Sequence, residues 1–227
     1  MTMSILDNIV WHTLVGPHCQ YTIGDHLVRR YARGFPPIAA FRDTRDPDWH
    51  ALGRLMGSGE HVHCDGLGGS VPEGWGVDAE GLLVKMIWQG SVELEHDPAP
   101  DAVKLDSRSA AAAVELASLT NPGPFTIRTL ELGHYFGIFD GAQLVAMAGS
   151  RGCAGGFSEI TGVCTHPDFT GRGLARRLVI KILRHQVLQG QRPFLRVMSH
   201  SAAARQLYFR VGFRVYAQSV ARTFIRY

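Results

Sequence analysis

Apolar and polar positions along the chain change period several times, and each change marks an element. Ile5 to Leu14 carries a helical spacing that Gly16-Pro17 ends. Tyr21–Ile23, Leu27–Arg33 and Ile38–Phe41 have the alternation of short strands, with a turn at Gly24-Asp25. Asp46-Pro47 starts a helix, with Asp46 as cap and an apolar face of Trp49, Leu52, Leu55 and Met56. His61–Cys64 and Leu82–Trp88 are strands, separated by a glycine-rich loop from Gly66 to Gly76. Gly90 to Asp101, with Pro98 and Pro100, reads as a linker and divides the chain into regions 1–92 and 93–227.

The second region has the clearer rhythm. Ala102–Leu105 is a strand, and Ser107 caps an alanine-rich helix from Arg108 to Leu119. Asn121-Pro-Gly-Pro124 is a turn, and Phe125 to Leu132 fits either a short helix or extended chain. Tyr135–Phe139 and Gln143–Ser150 form a hairpin about Asp140-Gly141. A β-branched strand, Glu159 to Thr165, then meets Pro167 and a Gly171-Arg-Gly173 turn. An amphipathic helix follows from about Arg172 to Gln189. Phe194–Ser199, a helix from Ser201 to Val211, and strands Phe213–Ala217 and Val220–Ile225 complete the order. The first region also offers strands around one helix, which makes it a candidate degenerate copy of the second.

Composition sharpens this only a little. The chain has 227 residues, 45% hydrophobic content and a net charge of +3. That charge is too small and too dispersed to predict nucleic-acid binding. No apolar run approaches the ~18 residues of a membrane helix. Four well-separated cysteines (Cys19, Cys64, Cys153, Cys164) fit a reducing compartment, and no leader pattern opens the sequence, so a cytoplasmic location is expected. His61 and His63 share a strand face with Cys64 next to them, but no partner set has metal-ligand spacing, so no metal is expected.

The chemistry concentrates at the glycine turn. A glycine-rich turn entering a helix aims backbone N–H groups at one point, where the helix dipole favours an anion. Arg172, Arg176 and Arg177 crowd the same end. Positive charge there opposes the dipole by roughly 0.3–1 kcal/mol per residue unless an anion offsets it. Phosphate binding is the expectation. A dinucleotide fingerprint does not fit, because the third glycine and the acidic residue about 20 positions on are both missing.

The element order and three linked segments resemble the GNAT superfamily of acyl-CoA-dependent N-acyltransferases. Thr170-Gly171-Arg172-Gly173-Leu174-Ala175 resembles the family's Q/R-x-x-G-x-G/A pyrophosphate loop, with Thr170 in place of the usual first residue. Val163-Cys164-Thr165-His166-Pro167 resembles the strand that pairs with the pantetheine arm. Ser201-x-x-Ala204-x-x-Leu207-Tyr208-x-x-x-Gly212-Phe213 resembles the N-x-x-A-x-x-L-Y-x-x-x-G-F segment, with Ser201 in place of Asn. The likeness covers about residues 100–227, and the large N-terminal part also resembles the glycine N-acyltransferase-like branch.

That resemblance implies an α/β fold with a mixed, mostly antiparallel central sheet and flanking helices. The cofactor implied is acetyl-CoA, as co-substrate. Val163, Cys164 and Thr165 would hold pantetheine, with the Val163 N–H on the thioester carbonyl. Thr170, Gly171, Arg172, Gly173, Leu174, Ala175, Arg176 and Arg177 would hold the pyrophosphate, and Ser201 would add a hydrogen bond. Tyr208 would protonate the leaving thiolate, and Glu159 would be the general base if an apolar setting raised its pKa. Glu131, His134 and His166 are rival bases, and Cys164, on a buried strand, fits packing better than a covalent acyl-enzyme. The function implied is direct acyl transfer to a small-molecule or peptide amine, without nucleic acid or membrane. The alternative is a silent acyl-CoA-binding or interaction module. The acceptor and the oligomeric state, a homodimer included, stay open.

Overall fold

The computed structural model describes residues 4–90 and 92–227; residues 1–3, and Ser91 within the stretch read as a linker, lie outside the described residues. In chain order the elements are α1 (Ile9–Val15), β1 (Thr22–Gly24), β2 (Val28–Tyr31), β3 (Ala39–Phe41), α2 (Trp49–Arg54), β4 (His61–Asp65) and β5 (Trp75–Trp88). Then come β6 (Val103–Leu105), α3 (Ala110–Thr120), β7 (Tyr135–Asp140), β8 (Gln143–Ala154) and β9 (Phe157–Thr165). α4 (Leu174–Leu188), β10 (Arg192–Met198), α5 (Ala202–Val211) and β11 (Phe213–Arg226) close the chain. The ambiguous stretch before β7 contains a 3-10 turn at Thr129–Leu132. Two caps differ from expectation. Asp48, not Asp46, accepts the Ala51 N–H, and Asp106, not Ser107, accepts the Arg108 N–H.

Among the described residues the strands form a three-stranded sheet, β1-β2-β3, and an eight-stranded sheet in the order β4-β11-β5-β10-β9-β8-β7-β6. The large sheet is antiparallel except where β10 runs parallel to β9. This corrects the division at 92/93. β5 comes from the first region yet lies inside the sheet, between β10 and β11 of the second. The first region completes the sheet and covers one face of it. β5 and β11 pair along their length from Phe213↔Trp88 to Arg226↔Trp75. Glycines and charged residues from Gly76 to Gly81 hide the first half of β5 in the sequence, and an irregularity between Val215 and Ala217 makes β11 read as two strands.

Helix α4 presents Leu178, Val179, Ile182 and Leu183, all fully buried, to one face of the sheet, where Ile160, Leu195, Tyr208 and Phe213 join them. The stretch 92–101 is strapped to the other side of α4. Arg177 Nε bonds the Pro98 carbonyl at 3.1 Å, Lys181 bonds the Ala99 carbonyl at 2.9 Å, and Arg184 Nε bonds the Leu94 carbonyl at 2.8 Å. Arg177 also pairs with Asp101 and Lys181 with Asp97. On the opposite face of the sheet, α3 packs through Ala113, Leu116 and Ala117 against Tyr135 and Met147. Leu6 and Ile9 at the start of the chain meet Phe157 and Phe194. No helix among the described residues is long and apolar enough to cross a membrane.

A polar seam runs beneath this cover. The Arg196 guanidinium grips both oxygens of Glu159, at 2.8 and 3.1 Å, and also pairs with Asp65 of β4. The Glu159 and Arg196 side chains are only 4% and 12% exposed, which takes this pair out of the weak surface class. Burial alone would raise the Glu159 pKa, but Arg196 and Arg151 outweigh it and hold the carboxyl below its ordinary value. Removing Glu159 leaves Arg196 and Arg151 with Asp65 as the remaining carboxylate of the cluster, and breaking a buried pair costs up to about 3–5 kcal/mol. Glu159→Gln is therefore expected to lower unfolding free energy by about that amount, measured by urea titration at neutral pH. A depressed folded pKa contributes stability above the unfolded value near ~4.3 and loses it as pH falls through the folded value. The variant should accordingly lose part of the wild type's stability change below about pH 4.

Candidate functional site

The site begins where two strands part. β9 and β10 pair from Phe157↔Arg192 to Ile160↔Leu195 and then separate. Each keeps its other neighbour. β9 stays on β8 through Thr165↔Ala146, and β10 stays on β5 through Met198↔Leu83. The inner edges beyond Ile160 and Leu195 are thus backbone with no strand partner among the described residues. On β9 this free edge spans Thr161 to Thr165 and contains the three residues expected to meet pantetheine. An extended ligand can add to such an edge as a strand does.

The free edge is kinked. Met147 faces Cys164 and Gly149 faces Thr161, so β9 has one residue more than β8 between these pairs. The irregularity includes Gly162 in the left-handed region at φ 60°. A bulge of this kind re-aims backbone groups beside a site. Val163, next to Gly162, is the residue whose N–H the sequence assigns to the thioester carbonyl.

The glycine turn behaves as helix-terminus physics requires. Gly171 and Gly173 have φ of 77° and 76°, with open space where a side chain would stand. They are needed for backbone conformation, not for room. The helix starts at Leu174 rather than at Arg172, and Gly173 occupies its cap position. The N–H groups of residues 171–176 find no acceptor among the described residues, whereas that of Arg177 bonds the Gly173 carbonyl at 3.1 Å. Thr170 secures the turn by donating its hydroxyl to the Pro167 carbonyl at 2.9 Å. This local bond is what the hydroxyl supplies in place of a longer side chain.

The arginines divide. Arg172 lies over the Phe169 ring at 4.5 Å, and Arg176 is exposed at the mouth. Arg177 is corrected. It faces away from the turn, where Asp101 and the Pro98 carbonyl hold it, and it anchors the strap. Ser201 precedes α5 and makes no capping bond, so its hydroxyl is uncommitted.

Tyr208 lies on α5 within the core cluster that also contains Ile160 and Leu195, where the strands part. Its hydroxyl is pushed up to about 12, first by burial and then by Cys164, so the phenol holds its proton at neutral pH. Cys164 is buried, and its thiol is pushed up to about 11 by desolvation, which disfavours a thiolate nucleophile. Glu159 is corrected in one respect. It was expected to have a raised pKa, but Arg196 and Arg151 lower it and Arg196 occupies both its oxygens. The rival bases have neighbours of their own. Glu131 pairs with Arg128 at 2.7 Å, the His134 ring lies against His185 at 4.6 Å, and His166 Nδ1 accepts the Asp168 N–H at 3.3 Å. Two residues that the sequence did not single out also lie near β9: Tyr135, against Gly162, and Arg151, beside Glu159. Nothing in their spacing marks them, because the fold alone brings Tyr135 of β7 against Gly162 and Arg151 of β8 beside Glu159.

A family model described as FR47-like protein matches residues 135–222. No curated protein matches the chain. Among solved structures, a GNAT-family acetyltransferase structure from Novosphingobium aromaticivorans is 29% identical, covering 99% of this chain and 100% of the other with a TM-score of 0.89. A GCN5-related N-acetyltransferase-like protein from Streptococcus suis is 17% identical over 96% and 92% of the two chains, with a TM-score of 0.62. A GCN5-related N-acetyltransferase from Kribbella flavida is 15% identical over 97% and 92%, with a TM-score of 0.57. The last two share the fold alone. With the parted strands, the kinked edge and the glycine turn, these findings agree in one direction: the chain is similar in sequence and fold to the GNAT superfamily of acyl-CoA-dependent N-acyltransferases.

Proposed function

We propose that the protein moves an acetyl group from acetyl-CoA directly to an amine held in the same complex. The observation that supports this reading best is the pairing of two unmet backbone sets in one cleft. One is the free β9 edge beyond Ile160, and the other is the run of unpartnered N–H groups from 171 to 176. They suit an extended arm ending in a pyrophosphate, which supplies the activated thioester. Arg172 and Arg176 add charge beside the phosphate oxygens, and the Ser201 hydroxyl offers a further donor.

In this reading the Val163 N–H stabilises charge developing on the thioester oxygen. Tyr208, protonated at neutral pH, gives its proton to the departing sulfur. Glu159 acts as a positioning residue rather than the base. It holds Arg196, the first residue past the last β9–β10 pair, and so fixes the apex of the cleft. The acceptor then reacts as the free amine present at equilibrium.

Three measurements test this. Coenzyme A release on a broad amine panel should show turnover, and Tyr208→Phe should lower kcat about 100-fold with little change in KM for acetyl-CoA. Saturable acetyl-CoA binding with no turnover on any amine would leave only a binding module. Gly173→Ala should weaken acetyl-CoA binding about tenfold, since an alanine in the left-handed region costs roughly 1–2 kcal/mol. The pH at which kcat/KM levels off should track the ammonium pKa of each acceptor. A fixed inflection near 7 for all acceptors would restore a base within the protein.

A further inference from the structure

The Tyr135 ring reaches across two strands. Tyr135 opens β7, and Gly149 of β8 is its paired neighbour. A side chain at Gly149 would collide with the near part of the ring, Cγ, Cδ1 and Cε1. One at Gly162 of β9 would meet Cε1 at 3.0 Å and the hydroxyl at 3.8 Å. The ring therefore lies over β8 and ends over β9, with its hydroxyl at the bulge. Among the described residues no strand pairs with β9 beyond Ile160 on that side, because β10 has already parted. The hydroxyl is thus carried to the free edge.

That hydroxyl is fully buried and has no hydrogen-bond partner among the described residues. Burial raises the phenol's pKa, so the group stays protonated and can donate. A phenylalanine would fill the same space and leave no polar atom unmet, so packing explains the ring but not the hydroxyl. The nearby charged groups are occupied. Arg151 Nη1 bonds the Pro124 carbonyl at 2.9 Å and lies beside Glu159, which Arg196 grips. The Phe125 ring stands edge-on to Tyr135 at 5.8 Å and lies against Gly162, so it covers the same spot. Phe125 is half-buried and directly follows the Asn121–Pro124 turn. A rotamer change of the kind common on binding would uncover the hydroxyl.

The order of groups along β9 decides what arrives there. The glycine turn follows the Thr165 end of the free edge. An arm anchored at residues 171–176 therefore runs back past Thr165, Cys164 and Val163 and ends at Gly162. In the acyl-transfer reading, on which this rests, that end is the thioester, and its oxygen is its one strong hydrogen-bond acceptor. We infer that the Tyr135 hydroxyl donates to the thioester oxygen, as a second donor beside the Val163 N–H, once the Phe125 ring has moved off Gly162. During transfer the amine nitrogen bonds the acyl carbon and the carbonyl electron pair moves onto the oxygen. The pair returns as the carbon–sulfur bond breaks. The sulfur leaves with the Tyr208 proton, and the new amide nitrogen releases one proton to water. A fixed donor in a buried site stabilises the oxygen most when it carries that charge.

The experiment compares wild type with Tyr135→Phe, which keeps the ring that lies on the two glycines. Difference infrared spectra are taken of bound acetyl-CoA isotopically labelled at the thioester carbonyl. A hydrogen bond lowers the carbonyl stretching frequency, so the band should lie higher in the variant than in wild type. Where an amine is turned over, kcat should fall about 100-fold, the loss typical of one oxyanion donor. The urea midpoint should be unchanged or higher in the variant, because only an unmet hydroxyl is lost. A band at the same frequency in both proteins, an unchanged kcat, or a lower urea midpoint each overturns the inference, the last by showing that the hydroxyl is bonded within the fold. If no amine is turned over, the band alone decides. A Tyr135-dependent band without turnover would overturn the catalytic reading and leave this contact standing, and turnover indifferent to Tyr135 would do the reverse.

Discussion

The parting of β9 and β10 at Ile160 and Leu195 is the constraint on which the rest of the molecule depends. Two parallel strands that start paired have every reason to continue, since each further pair satisfies backbone groups. They stop because each is held by its outer neighbour and because the bulge at Gly162 turns β9. At the point of separation Arg196 folds back onto Glu159 and Asp65, and this buried cluster ties three strands, β4, β9 and β10, together. The cleft is therefore a rigid wedge with a charged rivet at its apex. A rigid wedge can keep two edges of unmet hydrogen-bonding groups ready for an extended ligand without reorganising when it arrives.

The N-terminal region has a structural role that follows from this geometry. β5 supplies the outer neighbour on which β10 continues after it leaves β9, so residues 75–88 form one wall of the cleft's support. β4 brings Asp65 to the rivet. The same region covers the face of the sheet on which Arg151 and Glu159 are buried. The strap of residues 92–101 then fastens the crossing chain to α4, whose cations at Arg177, Lys181 and Arg184 lie one helical turn apart.

Much of the chain was legible in order. The strand at Glu159–Thr165, the helix after the glycine turn and the Tyr208 helix carry strong period signals and lie where those signals put them. The loop needed no tertiary information, because a positive φ at Gly171 and Gly173 and the free amides of a helix start are local properties. Arg177 was less legible. Its distance from the turn in sequence is that of a phosphate ligand, but a strap from 76 residues earlier claims it. The lowered pKa of Glu159 was hidden for the same reason. A strand pattern tells which face a carboxylate is on, not which cation waits there.

The sequence by itself determined most of the local elements, the glycine turn with its free amides and the family resemblance, because these depend on backbone conformation and on neighbours a few residues away. Only the tertiary structure decided that β5 enters the sheet between β10 and β11, that β9 and β10 part, and that Arg196 takes Glu159. It also brought Tyr135 against Gly162 and Arg151 beside Glu159 from different strands. Those outcomes rest on which distant groups become neighbours. The charge state of a buried carboxylate, or the use of a buried hydroxyl, is fixed by such neighbours and not by the residue type.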